Sequence, residues 1–516
     1  MSKNETTGAG SIVASLSRCG VTACFANPGT SEMHLVAALD KVPSIRSVLC
    51  LFEGVASGAA DGFGRMTDRP AAVLLHLGPG YANAAANLHN ARRAHTPVVV
   101  IIGDHATSHR QYDAPLASDI RSLTSSTCRW TGSIETAAAG AELVQRSVEE
   151  SMTAERGVAA LLLPADSAWT LTDIIGPSHD FVAPTLALVP DDRIDAVRNA
   201  LNNAINPAIL LGGHALREDA LAIAGSLAAS GIRIFGETFP ARQTRGAAVF
   251  SPERLPYSGP QARDALLAHD LLVTVEAADP VAFFAYPSEE GRLAPAGMRI
   301  LNLASCGEDG TAALAGLGCA GVIEAGKQID ETFDPAARPT PLSAGKILAR
   351  LMPVGSIVSD DAVTASGPLW AGTENSETHE WMTLTGGAIG QGLPLAIGAA
   401  VACPGRKVIA LTGDGAGMYN PQSLWTMMRE KLDIVVLVFA NNAYRILEYE
   451  YERTGAGKLT SAHDMFDLSG PTIDWVSIAR GFGMRGTLCK NNGELSGAIE
   501  RAMKETGPCL IEISIE

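Results

Sequence analysis

The sequence predicts an α/β protein made of three doubly wound, parallel-sheet domains. Short apolar runs rich in β-branched residues alternate with longer alanine-rich segments along most of the chain, which is typical of strand–helix–strand units. Two polar, proline-containing stretches, residues 174–192 and 331–343, interrupt this alternation as linkers do. A chain of 516 residues is also longer than one hydrophobic core usually supports, so several domains are expected.

The predicted strands follow in order along three blocks. The first block contains SVLCLF, AAVLLHL and PVVVIIG, the central block contains PAILLGG and IRIFGE, and the last block contains KVIALTG and DIVVLVFA. The linkers therefore predict a first domain at residues 1–178, a central domain at 188–333 and a third domain at 343–516. The first and third blocks each place a glycine-rich turn between a strand and a helix, which indicates a duplicated plan.

Composition excludes several classes of protein. The chain has 39 Lys and Arg against 55 Asp and Glu, so its net charge of -16 argues against a nucleic-acid partner. The nine cysteines lie far apart without a C-x-x-C pair, which argues against disulfides and zinc and favours the cytoplasm. The N-terminus lacks an apolar signal core, and the apolar runs are too short to span a bilayer, so no membrane partner is expected.

The stretch LTGDGAGMYNPQSLW, residues 411–425, places Asp414 between two glycines directly after a predicted strand. The next predicted strand ends at Asn441, so both side chains lie at the carboxyl edge of a parallel sheet, where ligands bind. With the backbone carbonyl of Ala443, they supply three oxygens of the kind that Mg²⁺ prefers beside phosphates. The alternative is an aspartate in a glycine turn with a capping asparagine. Asn420 and Pro421 predict the start of the following helix.

GDG at 413–415, followed one helix and one strand later by NN at 441–442, resembles a known signature. It is similar to the thiamin diphosphate (ThDP) motif of the superfamily of acetolactate synthase, pyruvate decarboxylase and benzoylformate decarboxylase. The resemblance implies ThDP and Mg²⁺ as cofactors, with Asp414, Asn441 and the Ala443 carbonyl as metal ligands. The cofactor contacts that it implies in this segment are Gly413, Asp414, Gly415, Ala416, Asn441 and Tyr444. Ala416 replaces the usual serine, so that contact is expected from backbone alone, and the asparagine pair is shifted by one, with Ala440 in its first place.

Residues 47–66, SVLCLFEGVASGAADGFGRM, resemble the family segment that carries a glutamate needed to activate ThDP. Glu53 stands where the strand SVLCLF ends and a helix of small residues begins. A solvated or helix-capping glutamate is the alternative. The spacing of Gly58 and Gly62 predicts close helix packing where cofactor domains meet, and Asn83 is a candidate contact with the cofactor ring or the substrate.

The stretch TLTGGAIGQGLPLAIGAA, residues 383–400, does not follow the G-x-G-x-x-G pattern of dinucleotide loops. By resemblance, Gly387 offers its carbonyl to the aminopyrimidine ring of the cofactor, and Ile389 is the bulky side chain that bends ThDP. Core packing is the alternative for Ile389. Thr364, in SDDAVTASG, similarly resembles a diphosphate contact.

The substrate side combines features of two enzymes. FANPGTSEMHLV resembles the benzoylformate decarboxylase segment whose serine contacts the substrate carboxylate, and Thr30 holds that place. His76 falls on the position of an active-site histidine in that enzyme, whereas GPGYAN at 78–83 is closer to acetolactate synthase. Histidine ordinarily titrates near ~6.5, which suits proton delivery. A buried, hydrogen-bonded histidine without a catalytic role is the alternative.

The second substrate histidine of benzoylformate decarboxylase is missing from DPVAFFAYPSEEG, residues 279–291. His105 and His109 could compensate, or they could be solvated loop residues. The chain is shorter than typical acetolactate synthases, and an FAD-binding signature is not supported.

By resemblance, the chain is expected to be a ThDP- and Mg²⁺-dependent enzyme that decarboxylates a 2-oxo acid. It would release an aldehyde or transfer the remaining unit to a second carbonyl, as acetolactate synthase does. An aromatic decarboxylase of the benzoylformate type and a non-catalytic ThDP-fold partner subunit are the alternatives. The first domain would bind the pyrimidine ring and the third the diphosphate. The family implies a homodimer or homotetramer in which Glu53 of one subunit meets Asp414 of another.

Overall fold

A computed structural model describes residues 6–153, 155–287, 289–318, 332–457 and 461–515. Within these residues the chain forms three largely parallel sheets of six, five and seven strands, and helices connect the strands. This arrangement confirms the predicted α/β class. Among the same residues, no helix is both long enough and apolar enough to cross a membrane.

The first domain is built around a parallel sheet in which β5 is an inner strand, apolar from Val98 to Ile102. Its elements are β1 Thr6–Thr7, α1 Gly8–Arg18, β2 Ala23–Ala26, α2 Met33–Leu39, β3 Arg46–Leu49, α3 Glu53–Thr67, β4 Ala71–His76, α4 Leu77–Arg93, β5 Val98–Asp104, α5 Ile120–Thr124, β6 Trp130–Ser133, α6 Gly140–Met152, β7 Val158–Pro164, α7 Ala165–Trp169 and β8 Leu171–Thr172. The strand order is β3-β2-β4-β5-β7-β6, and β1 pairs separately with β8 in antiparallel register. Because β2 and β4 are parallel neighbours, they end at the same edge of the sheet.

The central domain has a smaller parallel sheet with the strand order β12-β10-β9-β13-β14. Its elements, with one strand that pairs elsewhere, are α8 Asp191–Asn203, β9 Pro207–Leu211, α9 Glu218–Ala229, β10 Arg233–Gly236, β11 Gln243–Arg245, β12 Glu253–Arg254, α10 Gly259–Leu266, β13 Leu271–Val275, β14 Arg299–Ala304 and α11 Gly310–Gly316. The predicted strands PAILLGG and IRIFGE correspond to β9 and β10.

The third domain carries the largest sheet, ordered β11-β16-β15-β17-β18-β20-β19. Its own elements are α12 Pro341–Leu351, β15 Ile357–Asp361, α13 Ser366–Gly372, β16 His379–Met382, α14 Gly392–Ala402, β17 Val408–Gly413, α15 Asp414–Gly417, α16 Ser423–Glu430, β18 Ile434–Ala440, α17 Arg445–Thr454, α18 Trp475–Gly481, β19 Arg485–Cys489, α19 Asn492–Lys504 and β20 Cys509–Ser514. Strand β11 comes from the central block of the sequence and pairs with β16 in antiparallel register.

The helix predicted to begin at Pro421 begins two residues later, at Ser423. The side chain of Asn420 does not cap it: its Oδ1 has no hydrogen-bond partner among the described residues, and its Nδ2 donates to the Gly390 carbonyl at 2.8 Å. A contact from a distant segment has therefore replaced the local cap that the sequence predicted.

Helices α3 and α14 join the first and third domains. A Cβ atom on Gly58 would lie 2.8 Å from Pro394, and one on Gly62 would collide with the Leu395 backbone. The two helices therefore approach as closely as their small residues allow, as the sequence predicted. One hydrophobic cluster extends across this contact, from Phe63 of α3 to Leu393 of α14, so the outer domains share part of their core.

Candidate functional site

The carboxyl edge of the third sheet brings together the residues of the GDG motif. Strands β17 and β18 are parallel neighbours, and Gly413 at the end of β17 lies opposite Phe439. Asp414 follows β17 and opens the one-turn helix α15, while Asn441 follows β18. The expected juxtaposition of these two side chains at one sheet edge is therefore present.

Asp414 is a buried carboxylate, with 3% of its surface exposed. Its Oδ1 accepts from the Gly415 N–H at 2.9 Å, and its Oδ2 accepts from the Asn442 N–H at 2.7 Å. Burial raises the pKa of Asp414 above its usual range, although these amide hydrogen bonds oppose the shift. No lysine or arginine forms a salt bridge with Asp414 in the described part of the chain, so the buried charge lacks a cation.

A cleft of about 50 Å³ opens beside Asp414. Nine of the predicted site residues line it: Thr364, Ile389, Gly413, Asp414, Gly415, Ala416, Asn441, Ala443 and Tyr444. Ile389 is only half-buried, so it faces the cleft and is not a core residue. Because the cleft is small, the greater part of an organic cofactor would have to lie outside it.

The donor set of this cleft suits a hard cation. Asn441 Oδ1 accepts from the Ala443 N–H at 3.1 Å, which holds the amide and the Ala443 backbone together. Clusters of three or more His, Cys, Asp or Glu side chains able to hold a metal do not occur among the described residues. One carboxylate with amide and carbonyl oxygens fits Mg²⁺ bound to a phosphate better than it fits zinc.

The backbone around the cleft is held in uncommon conformations. Val363, directly before Thr364, has φ +51°, and Asn442, directly after Asn441, has φ +55°. Positive φ is a genuine outlier for a β-branched residue such as valine, and such strain collects at functional sites.

Sequence reasoning missed Asp361, which holds the segment next to Ile389. Its buried Oδ2 accepts from the Gly390 N–H at 2.7 Å and from the Gly392 N–H at 3.2 Å. Burial raises the pKa of Asp361 to about 7. The signal was present in the doubled aspartate that ends β15, in SDDAVTASG.

The carboxyl edge of the first sheet carries a second group of predicted residues. Glu53 is the first residue of α3, as expected. It does not cap its own helix, since its Oε2 accepts from the Asn83 Nδ2 amide of α4 at 3.0 Å. The amino-terminal end of α3 is therefore in contact with Asn83, which lies within the neighbouring helix α4.

His76 and Thr30 lie at the same edge. His76 ends β4, and its Nδ1 lies 2.9 Å from Oε2 of Glu32 and 3.1 Å from Oγ of Ser31. Thr30 begins the 3₁₀ turn Thr30–Glu32, which follows β2. Glu32 and Ser31 were not predicted from the sequence, although a glutamate three residues after the start of a turn is a capping signal.

The predicted residues at the first sheet edge do not reach the Asp414 cleft of the same chain. Glu53, His76, Thr30 and Asn83 do not line the Asp414 cleft. Gly387 also lies outside that cleft and lines a cavity of about 850 Å³ to which all three domains contribute residues.

His105 and His109 lie together, with ring centroids 5.3 Å apart. His105 lines a separate cavity of about 430 Å³ at the first sheet, with Asp104 and Arg110. Neither histidine lines the Asp414 cleft, so both alternatives for these residues stay open.

Two family profiles match the chain. Residues 6–124 match "Thiamine pyrophosphate enzyme, N-terminal TPP binding domain", and residues 366–513 match "Thiamine pyrophosphate enzyme, C-terminal TPP binding domain". The first match contains Thr30, Glu53 and His76, and the second contains Asp414 and Asn441.

The chain is similar over its whole length to curated proteins. It is 42% identical to IlvX of Mycobacterium tuberculosis, provisionally named an acetolactate synthase large subunit, over 98% of this chain and 99% of that protein. It is 28% identical to benzoylformate decarboxylase of Pseudomonas aeruginosa, over 96% and 97%. Its fold superposes on the Rhodococcus jostii RHA1 thiamine diphosphate-dependent 4-hydroxybenzoylformate decarboxylase with a TM-score of 0.87, at 23% identity over 99% of both chains.

Proposed function

The chain belongs to the thiamine pyrophosphate enzyme family, and from this premise we propose that it uses ThDP with Mg²⁺ to decarboxylate a 2-oxo acid. The remaining unit would leave as an aldehyde or be transferred to a second carbonyl, as in an acetolactate synthase. The observation that carries the proposal is the buried Asp414, which lacks a cation and lies beside Asn441 in a cleft lined by oxygen donors.

Each group of residues has a distinct task in this proposal. Asp414, Asn441 and the Ala443 carbonyl would hold Mg²⁺ and, through it, the diphosphate. When bound, ThDP would supply the electron sink that allows a bond next to a carbonyl to break. Glu53 would share a proton between its carboxyl oxygen and the aminopyrimidine ring.

We propose that a second copy of the chain completes the site as a homodimer or homotetramer. Glu53 does not line the Asp414 cleft of its own chain, and that cleft is too small for a whole cofactor. Large apolar side chains are exposed beside both sheet edges, and such patches favour protein contacts. They include Met33 and Leu51 in the first domain and Met418, Tyr419 and Met465 in the third. A cytoplasmic location stays a prediction.

The substrate side supports a decarboxylase in particular. His76 at the first sheet edge would deliver a proton from its ring, and the exposed Thr30 hydroxyl would contact the substrate carboxylate. The pairing of these two residues at one edge favours a benzoylformate-type aromatic decarboxylase as the second candidate. A carboligase would differ in accepting a second carbonyl compound in place of the proton.

The test is calorimetric titration of metal-stripped protein with ThDP, with and without Mg²⁺. The same preparation is then assayed for CO₂ release from aliphatic and aromatic 2-oxo acids, and its products are separated as aldehydes or 2-hydroxy ketones. We expect Mg²⁺-dependent binding and turnover of one substrate class. Absence of ThDP binding would refute the cofactor site, and binding without CO₂ release would refute the proposed reaction.

A further inference from the structure

Glu32 forms a hydrogen-bonded cluster that the proposed function does not yet use. Its side chain is fully buried below the first sheet edge, beside Gly103 of β5, where a Cβ atom would collide with the carboxylate. Oε2 accepts from the Gly29 N–H at 2.7 Å and lies 2.9 Å from His76 Nδ1, and Oε1 accepts from the Ser31 hydroxyl at 2.6 Å. Each oxygen of the carboxylate therefore has a donor.

The titratable side chain in contact with Glu32 is that of His76. Within the described residues, no lysine or arginine forms a salt bridge with this buried carboxylate. A buried carboxylate without a permanent cation is costly compared with an apolar side chain of similar size. Glu32 caps the 3₁₀ turn by accepting from the Gly29 N–H, and its contact with His76 gives the same carboxylate a second role at the sheet edge.

The geometry determines which nitrogen of His76 carries a proton. An ionised carboxylate can only accept hydrogen bonds, so Nδ1 at 2.9 Å must be the donor. The Ser31 hydroxyl gives its own proton to Glu32, so it too can only accept from Nδ1. Nε2 is then left as the nitrogen that exchanges a proton, and 24% of the His76 side chain is exposed.

The position of His76 matches the proposed site. A Cβ atom on Gly80 would lie 3.4 Å from Glu53 Oε1 and 3.6 Å from His76 Cβ, so both residues flank the same glycine. Thr30 lies in the same 3₁₀ turn as Glu32. The turn that holds the imidazole therefore also places the threonine hydroxyl proposed to contact the substrate.

We propose that Glu32, assisted by Ser31, is a positioning residue that keeps the Nδ1 proton of His76 in place and presents Nε2 to the substrate. This inference rests on the proposed function, in which Nε2–H gives its proton to the substrate-derived carbon. The imidazole is left neutral with Nδ1–H still bonded to Glu32, and a proton from water restores Nε2–H.

The first experiment measures the ring itself and needs no activity. Histidine labelled with ¹⁵N is incorporated into the cofactor-free protein, and the His76 signals are assigned by their loss in His76→Gln. We expect the neutral ring of the wild type to carry its proton on Nδ1, and Glu32→Gln to shift the population towards Nε2–H. A wild-type ring with its proton on Nε2 would overturn the inference, and so would a tautomer that does not respond to Glu32→Gln.

The second experiment is a double-variant cycle on the ThDP- and Mg²⁺-loaded protein. Glu32→Gln is expected to lower kcat about 10-fold with KM changed less than about threefold, and to have less than about a twofold effect when His76 is already alanine. Equal losses in both backgrounds would show that Glu32 acts independently of His76 and would contradict the proposal.

Glu276→Gln is the matched control. Glu276 is another buried glutamate, and its Oε2 lies 3.1 Å from Nδ1 of His214, but the pair belongs to the central domain. We expect this variant to keep kcat within about twofold and to leave the His76 signals unchanged. If the protein lacks activity on every 2-oxo acid while His76 keeps the Glu32-dependent Nδ1 proton, the proposed reaction fails and the positioning holds.

Discussion

At the carboxyl edge of the third sheet, Asp414 is held by backbone amides of Gly415 and Asn442, within one strand–helix–strand unit. At the carboxyl edge of the first sheet, His76 is held by a side chain 44 residues away, that of Glu32. Both edges present polar groups at strand ends, but the Asp414 and Asn441 pair comes from one strand–helix–strand unit, whereas His76 and Glu32 come from separate units of the first domain. The Asp414 and Asn441 pair could be predicted from the sequence because both residues follow strands of one unit. The contact between Glu32 and His76 could not, because it depends on which side chains the fold brings together.

The largest expected effect is the loss of ThDP binding when Asp414 in the third domain is replaced. Asp414→Asn keeps the shape of the side chain but removes the charge that would face Mg²⁺. We expect the Kd for ThDP in the presence of Mg²⁺ to rise by about 300-fold, which corresponds to about 3.4 kcal/mol. Calorimetric titration measures this change.

Glu512→Gln is its control, since Glu512 is a buried acid of β20 in the same sheet that accepts from the Val476 N–H and does not line the cleft. An unchanged Kd in Asp414→Asn would show that Asp414 is not a metal ligand, and an equal loss in Glu512→Gln would show that the effect is not specific to Asp414.

The next largest effect separates binding from turnover. In Glu53→Gln, the glutamine has nearly the same size as glutamate and can keep the contact with Asn83. It lacks the carboxyl proton that we propose is shared with the cofactor. We expect CO₂ release to fall by about 100-fold while ThDP still binds. Glu218→Gln is the matched control, because Glu218 is likewise the first residue of a helix, α9 in the central domain. Full turnover by Glu53→Gln would favour a non-catalytic role for the chain.

Two glycine variants test whether the two sheet edges have separate tasks in ThDP binding and turnover. A methyl group at Gly415 would collide with the Tyr444 ring in the cleft, and one at Gly103 would collide with Glu32. We expect Gly415→Ala to weaken ThDP binding about 10-fold, and Gly103→Ala to lower turnover about 10-fold with ThDP affinity retained, since overpacking of this kind costs a few kcal/mol at most.

Gly497→Ala, in α19 beside the end of the Arg501 side chain, is the tolerated control for both glycine variants. If Gly103→Ala weakened ThDP binding as much as Gly415→Ala, the two edges would not have separate tasks.

The smallest effect concerns the contact between the first and central domains. Burial alone would lower the pKa of His214, but hydrogen bonds and charges from Asp68 and Glu276 raise it. Burial alone would raise the pKa of Asp68, but His214, Arg217 and Arg156 lower it. The His214 contribution is complete below its ordinary value of about 6.5 and is lost as pH rises through the raised pKa. The Asp68 contribution is complete above about 3.9 and is lost as pH falls through the lowered pKa.

We therefore expect the melting temperature to fall by about 2 °C between pH 6 and pH 9, and His214→Gln to flatten that decline. Thermal melts across this range measure it. His269→Gln is the control, because His269 Nδ1 is hydrogen-bonded to the Asn206 carbonyl and not to a carboxylate. A decline that persists unchanged in His214→Gln would assign the pH dependence to other groups.

The predictions that relied on neighbouring residues agree with the structure. The strand before Asp414, the helix that starts at Glu53 and the close packing at Gly58 all follow from patterns within about 20 residues. The predicted start of α16 was wrong. The Asn420 side chain, which was expected to cap that helix, instead donates to the Gly390 carbonyl of a different segment. Glu32 and Asp361 were overlooked for the same reason, since their partners lie across the sheet or in a later turn.

By itself, the sequence determined the α/β class, the seven strands named from apolar runs, and the placement of Asp414 and Asn441 at two neighbouring strand ends. Hydrophobic periodicity and turn residues decide these features because they act on adjacent parts of the chain. The tertiary structure decided that β11 joins the third sheet, that Gly387 lies outside the Asp414 cleft, and that Glu32 meets His76. Those outcomes depend on strand order and on how closely helices and turns pack. A side chain acquires its distant partner only when the sheets have formed.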